Sequence, residues 1–199
     1  MTINSEPEYP AVTGVILAGG RGSRMGGQDK GLIVWQQQPL YLHVLRRLSP
    51  QVTTVWINAN RNFAAYQKSG IPVIADTIAD FPGPLGGMLA ALRRIETDWV
   101  IFSPCDTPEL PVNLLSHLWQ HKGAAPAVWA RSKERDHPAM ALLHRSLTEE
   151  LQQYLDRGER KLLLFLERVG GHSVLFDNAE EAFNNVNSPE DLHNQADIP

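Results

Sequence analysis

The sequence predicts an α/β fold in three layers, with a mainly parallel central sheet and antiparallel additions in the C-terminal half. Two observations carry that reading. Short apolar runs alternate with segments of helical period through the first half of the chain, the rhythm that builds parallel sheets covered on both faces. In the second half, Ala127–Ala130 and His137–Leu143 read as strands joined by a short polar turn, a hairpin-like pair that is antiparallel. At 199 residues, with 43% hydrophobic and 20% charged residues, the composition is globular. Residues 1–10, with Pro7 and Pro10 among acidic neighbours, read as a flexible tail. Residues 11–199 then form one domain, divided into halves over about 11–108 and about 109–199.

Taken in order, Val12–Ala18 is the first strand, and it runs into a glycine-rich loop. Gly31–Trp35 reads as a short edge strand. Pro39 opens a helix carrying Leu40, Val44, Leu45 and Leu48 at helical spacing, and Pro50 ends it. Thr54–Ile57 is β-branched and aromatic, hence a strand. A helix around Phe63–Lys68 stops at Gly70, and Pro72–Ala75 is a short strand ending in Asp76. Leu85, Met88, Leu89, Leu92 and Ile95 share one helical face. Trp99–Phe102 is a continuous apolar run, suited to a central strand buried on both sides. Helices follow over about 111–121, around Leu147–Leu155, and from Glu159–Lys161 through Leu166. Ser173–Phe176 is a last strand, and Ser188-Pro189 starts a last helix.

The chemistry concentrates in residues 15–31, VILAGGRGSRMGGQDKG. A buried strand breaking into glycines points backbone N–H groups at one spot and lets a ligand approach the backbone. Arg24 and Lys30 add a planar fork and a mobile point charge. Together these residues read as a triphosphate cradle, with the amides of Gly19–Gly22 as its floor. The stretch is neither a P-loop, since Gln28 follows Gly27, nor a dinucleotide fingerprint, since Met25 stands where the last glycine belongs. Asp106 lies just past the apolar run 99–102, where open sheets place their chemistry. It is the predicted ligand of Mg²⁺, or alternatively Mn²⁺, because Mg²⁺ takes one or two carboxylates and completes its shell with phosphates and water. Asn58, at the end of the second strand, is either a turn residue or a contact to a base or ribose. Asn185 and Asn187 alternate along an extended segment, so both amides face one cleft. Arg160 and Lys161 read as helix-surface cations or as anion ligands. His137 reads as a polar residue at a strand start, with no feature that separates base from structure.

Several of these strings resemble one family. Leu17-Ala18-Gly19-Gly20, Arg24-Met25-Gly26 and the following lysine are similar to the signature loop of nucleotidyltransferases. Asp29-Lys30, where sugar-phosphate enzymes carry Pro-Lys, resembles the molybdenum cofactor guanylyltransferase family. The likeness continues through Pro82-Gly83-Pro84-Leu85-x-Gly87, Pro104-Cys105-Asp106-Thr107-Pro108, Glu134–Pro138 and Asn185-x-Asn187-Ser188-Pro189-Glu190, so it covers nearly the whole chain. It implies a three-layer Rossmann-like nucleotidyltransferase fold and an enzyme that joins GTP to the terminal phosphate of the molybdenum-molybdopterin cofactor. It implies GTP contacts at Leu17, Ala18, Gly19, Gly20, Lys30, Asn58, Asp76 and Asp106, and catalysis by Arg24, Lys30 and Asp106. It places Asn185, Asn187 and Lys161 on the pterin side, although the family often has arginine at the position of Lys161. The partners it implies are other cofactor-biosynthesis proteins and molybdoenzyme apoproteins. Related readings are a cytidylyltransferase, whose loop usually reads L-A-A-G, a sugar-phosphate nucleotidyltransferase, and a non-catalytic nucleotide-binding module.

The same composition excludes other classes. A net charge of −4 argues against a nucleic-acid binder, which needs a basic face. One cysteine, Cys105, permits neither an internal disulfide nor a cysteine zinc site, in keeping with a reducing, cytoplasmic location. Cys105 reads as a packed residue. No apolar run reaches membrane-spanning length. His117 and His121 share a helix face with no third ligand, so they read as surface residues.

Overall fold

The computed structural model describes residues 9–20, 28–78, 83–177 and 180–186. Arg24, Gly22, Gly26, Gly27, Asn187 and the helix expected at Ser188 therefore lie outside the described residues. The strands are β1 (Val12–Leu17), β2 (Val34–Trp35), β3 (Gln38–Pro39), β4 (Thr54–Asn58), β5 (Val73–Ile74), β6 (Trp99–Pro104), β7 (Ala127–Arg131), β8 (Asp136–His144) and β9 (His172–Leu175). The helices are α1 (Leu40–Leu48), α2 (Phe63–Gln67), α3 (Pro84–Arg94), α4 (Leu114–His121), α5 (Thr148–Asp156) and α6 (Leu162–Arg168).

Seven strands form one sheet in the order β5-β4-β1-β6-β8-β7-β9. Only β8 runs against the others: it is antiparallel to both β6 and β7, while every other pairing in this sheet is parallel. The expected mainly parallel sheet with C-terminal antiparallel strands is therefore present. Alternate strand residues serve opposite faces. Val12 and Ile16 of β1 join a core with α1, α2 and α4, whereas Val15 and Leu17 join a second core with α3, α5 and α6. This division makes the three layers. Ile101, Val100 and Phe102 of β6 are fully buried and split between the two cores, as a central strand requires. At the other end of β1 from the glycine loop, Tyr9 packs on Trp119 with ring centroids 6.1 Å apart.

The edge strand expected at 31–35 is corrected. Lys30–Leu32 is a 3₁₀ turn, with Asp29 accepting the Gly31 N–H at 3.2 Å. Only Val34–Trp35 is extended, in a separate hairpin with Gln38–Pro39. Gln36 and Gln37 take the two left-handed turn positions, with φ of 47° and 66°. That geometry normally draws Asn-Gly, so the turn was not visible in the residues. Pro39 stands just before α1, as its cap, rather than inside it.

Candidate active site

The chain passes from β1 outward through β4 to β5, then returns to the other side of β1 with β6. That reversal opens a crevice between β1 and β6 beyond their C-terminal ends, the place where open α/β sheets bind ligands. A cavity of about 230 Å³ lies there, lined by Leu17, Ala18, Gly20 and Lys30 from the first loop and by Pro104, Cys105 and Asp106 from the second. The loops are stitched together: the Cys105 N–H donates to Leu17 O at 3.1 Å, and the Ala18 N–H to Asn58 O at 2.8 Å. Across 76 residues of sequence, Lys30 Nζ donates to Asp106 Oδ2 at 3.1 Å. The Asp106 side chain is 11% exposed and that of Lys30 25%, so the pair is shielded yet open to a ligand.

On the β4–β5 side, Asp76 is held by two amides. Asn58 Nδ2 donates to its Oδ1 at 2.8 Å, and Asn60 Nδ2 to its Oδ2 at 2.9 Å. Asn60 also accepts the Asp76 N–H at 2.8 Å and donates to Gly19 O at 3.3 Å. It thereby ties the glycine loop to the carboxylate. Asn60 was missed in the sequence, although the alternation that pairs Asn185 with Asn187 applies equally to Asn58 and Asn60. Asn58 is 2% exposed and abuts α3 at Gly87, where a Cβ would overlap its side-chain oxygen.

A second cavity, of about 290 Å³, adjoins the first through Pro104. Its lining includes Arg135, Asp136, His137, Pro138, Leu162 and Asn185. Asn185 sits on the Asp106 loop: Thr107 Oγ1 donates to its Oδ1 at 3.0 Å, and the Val186 N–H donates to Asp106 O at 2.9 Å. The oxygen being engaged, its amide N–H groups are what Asn185 offers. Lys161 caps α6 next to Leu162 and is exposed. Arg160 is spent on structure, donating to Leu155 O at 2.7 Å and Glu159 O at 2.8 Å near the end of α5. A larger open depression of about 690 Å³, beside Arg47, Glu109 and Pro111, gathers none of the motif residues.

His137 is 9% exposed, stacks on Phe183 at 4.4 Å and meets Ser132 Oγ at 3.1 Å. Burial pushes its pKa from 6.5 down to about 4, the Arg135 charge adds to the drop, and Asp136 opposes it. The imidazole is thus neutral and structural. Between pH 6.5 and about 4 the unfolded chain binds a proton that the folded chain refuses. The His137 contribution to stability is therefore complete above 6.5 and lost as the pH falls through that window. Wild type is expected to lose melting temperature faster than His137→Gln as the pH drops toward 4; parallel curves would clear His137 of the effect. Cys105 is buried, and burial with the neighbouring Asp106 raises its thiol pKa, so it packs rather than attacks.

The chemistry of the donor set limits the metal question. Among the described residues no group of three or more His, Cys, Asp or Glu side chains could hold a metal ion. His117 and His121 instead bond to the carbonyls of Leu175 and His117. Asp106 is the carboxylate among the described residues lining the cavity, and a single carboxylate suits Mg²⁺, which would take the rest of its shell from phosphates and water. Among the described residues no helix is long and apolar enough to cross a membrane.

Gly20, Lys30 and Asp106 thus line one cavity at the switch point, the arrangement expected of a nucleotidyltransferase. The chain belongs to the family of MobA-like NTP transferase domains, whose model matches residues 14–169. It is 53% identical to the molybdenum cofactor guanylyltransferase of Serratia proteamaculans, over 92% of this chain and 93% of that one. It is also 53% identical to the same enzyme of Yersinia pseudotuberculosis, with the same coverage. Among solved structures, the molybdopterin-guanine dinucleotide biosynthesis protein A of Archaeoglobus fulgidus superposes with a TM-score of 0.71 at 24% identity, over 92% of this chain and 95% of that one. A CMP:2-keto-3-deoxy-manno-octonic acid synthetase complexed with CTP reaches a TM-score of 0.71 at 16% identity, over 93% and 95%. These two likenesses are of fold.

Proposed function

We propose that this chain is a cytoplasmic molybdenum cofactor guanylyltransferase. It transfers GMP from GTP to the terminal phosphate of the molybdenum-molybdopterin cofactor, giving the guanine dinucleotide form and pyrophosphate. The observation that carries the reading is the Lys30–Asp106 pair at 3.1 Å, with a nucleotide-side cavity on one flank of Pro104 and the Asn185 cavity on the other. Two substrates entering from opposite sides would bring their phosphates together over that pair.

In this reading the backbone of Leu17, Ala18, Gly19 and Gly20 receives the triphosphate. Lys30 and Arg24 neutralise charge on the transferring phosphoryl group and the leaving pyrophosphate. Asp106 is the residue that would hold Mg²⁺, which when bound would supply further charge neutralisation. The acceptor phosphate is already ionised near neutral pH, so in-line attack on the α-phosphorus needs no side-chain base. Catalysis is then positioning and electrostatics. Asp76, fixed by Asn58 and Asn60, presents an acceptor-only carboxylate, which suits the adjacent N–H donors of guanine. Asn185, Asn187 and Lys161 take the pterin side. Hand-over would involve other cofactor-biosynthesis proteins and molybdoenzyme apoproteins.

Calorimetry with GTP, CTP, ATP and UTP in the presence of Mg²⁺ tests the base, and pyrophosphate release with the pterin cofactor tests the reaction. Selective GTP binding is expected. A preference for CTP would move the product to the cytosine form, and an absence of nucleotide binding would remove the enzyme reading. Lys30→Ala is expected to cost about tenfold or more in kcat/KM for GTP, the scale for one lost charge on a transferring phosphoryl group. Unchanged steady-state constants would place Lys30 outside the cradle.

A further inference from the structure

We infer that Tyr66 is a positioning residue for the transfer reaction, acting through Asp29 to hold Lys30 against Asp106; this rests on the transfer reaction proposed above. A lysine stem is flexible and loses rotamer freedom when its charge is fixed, so something must fix the backbone that carries it. Both neighbours of Lys30 are clamped from α2. Asp29 Oδ1 accepts the Gly31 N–H at 3.2 Å and the Tyr66 hydroxyl at 2.5 Å, and its Oδ2 accepts Asn62 Nδ2 at 3.0 Å. The Asp29 side chain is 5% exposed, with Arg61 Nε 3.9 Å away. Gly31 closes the clamp from the other side, since a Cβ there would overlap the Tyr66 hydroxyl.

Tyr66 cannot swing clear. It is fully buried, and its ring meets Tyr41 edge-on at 4.9 Å. Burial, with Cys105 and Asp29 nearby, raises the phenol pKa, so the hydroxyl remains a donor throughout the working range. Neither Tyr66 nor Asp29 lines the cavity at Asp106. A buried phenol and carboxylate outside the described lining of that cavity cost desolvation that a phenylalanine in the same packing would avoid. The arrangement makes sense if the geometry of Lys30 is what it secures.

The test is Tyr66→Phe in the full chain, which keeps the ring and removes the donor. Pyrophosphate release and Mg·GTP affinity are measured in the wild-type and Lys30→Ala backgrounds. A loss of about tenfold in kcat/KM is expected with Lys30 present, on the scale set by small misplacements of a catalytic group, and less than about twofold with Lys30 absent. Full activity of Tyr66→Phe, or an equal loss in both backgrounds, overturns the inference, the second result marking a merely structural role. Should Tyr66→Phe fail to fold, Asn62→Gly repeats the cycle from an exposed position whose φ of 54° glycine accepts. An inactive wild type removes the transfer reaction and the positioning role with it, which is distinguishable from an active wild type indifferent to Tyr66.

Discussion

Asp106→Asn is expected to lower turnover by about 10²–10³-fold, the scale for removing one preorganised electrostatic group at a transferring centre, while the fold survives. The side chain is nearly isosteric. The backbone bond from Val186 N to Asp106 O and the Thr107–Asn185 contact do not involve the carboxylate. What disappears is the charge. Lys30 Nζ loses the carboxylate it meets at 3.1 Å, and the crevice loses the carboxylate that, among the described residues lining it, would hold a divalent cation. The melting temperature should move by no more than a few degrees, as expected for about 1 kcal/mol or less in a chain of this size. The decisive measurement is kcat across a Mg²⁺ titration. Turnover near wild type, with an unchanged Mg²⁺ dependence, would sink the metal assignment.

Gly87→Ala is expected to cost nucleotide affinity by about tenfold or more, a factor equal to about 1.4 kcal/mol, although on local grounds it should help. Gly87 lies inside α3, where alanine is favoured by about 1 kcal/mol. Against this, a Cβ at 87 would overlap Asn58 Oδ1 and lie 3.0 Å from Leu17 Cδ2. Overpacking a buried site costs about 1–3 kcal/mol. If Asn58 swings away instead, its bonds to Asp76 Oδ1 and Ile74 O break inside a buried pocket, at about 1–3 kcal/mol. The steric term equals or exceeds the propensity term either way, and the structure that yields is the Asp76 side of the nucleotide pocket proposed above. Calorimetry with GTP and a thermal melt on the same preparation separate the two effects. Wild-type GTP affinity in Gly87→Ala would show that Asn58 can move without consequence and does not order the base contact.

Several parts of the site were legible in the residues alone. An apolar run breaking into glycines can only be a strand feeding a tight, ligand-accessible loop, because the period and the missing Cβ atoms are local properties. Trp99–Phe102 announced a central strand through its uninterrupted apolarity, and a carboxylate just past it had to stand at the sheet's chemical edge. The positions of Gly19 and Gly20 past β1 and of Asp106 past β6 were therefore visible. Asp29 carried only a family likeness, with nothing local to show that it would anchor Lys30 through Tyr66, 37 residues away. Asn60 stayed hidden behind the more obvious Asn58. Gly31–Trp35 patterns as a strand, yet Gly31 and Leu32 belong to a 3₁₀ turn because its cap comes from a side chain held by α2.

Helical and strand periods, glycine placement and the ends of apolar runs are written in neighbouring residues, so the three layers, the end of β1 before Gly19-Gly20 and the place of Asp106 just past β6 follow from local pattern. The meeting of Lys30 with Asp106, the bridge Asn60 makes between Gly19 and Asp76, the seating of Asn185 on Thr107 and the insertion of β8 between β6 and β7 each join positions separated along the chain. They arise in the folded molecule alone, because strand order and loop docking depend on how two cores pack across one sheet rather than on any local pattern.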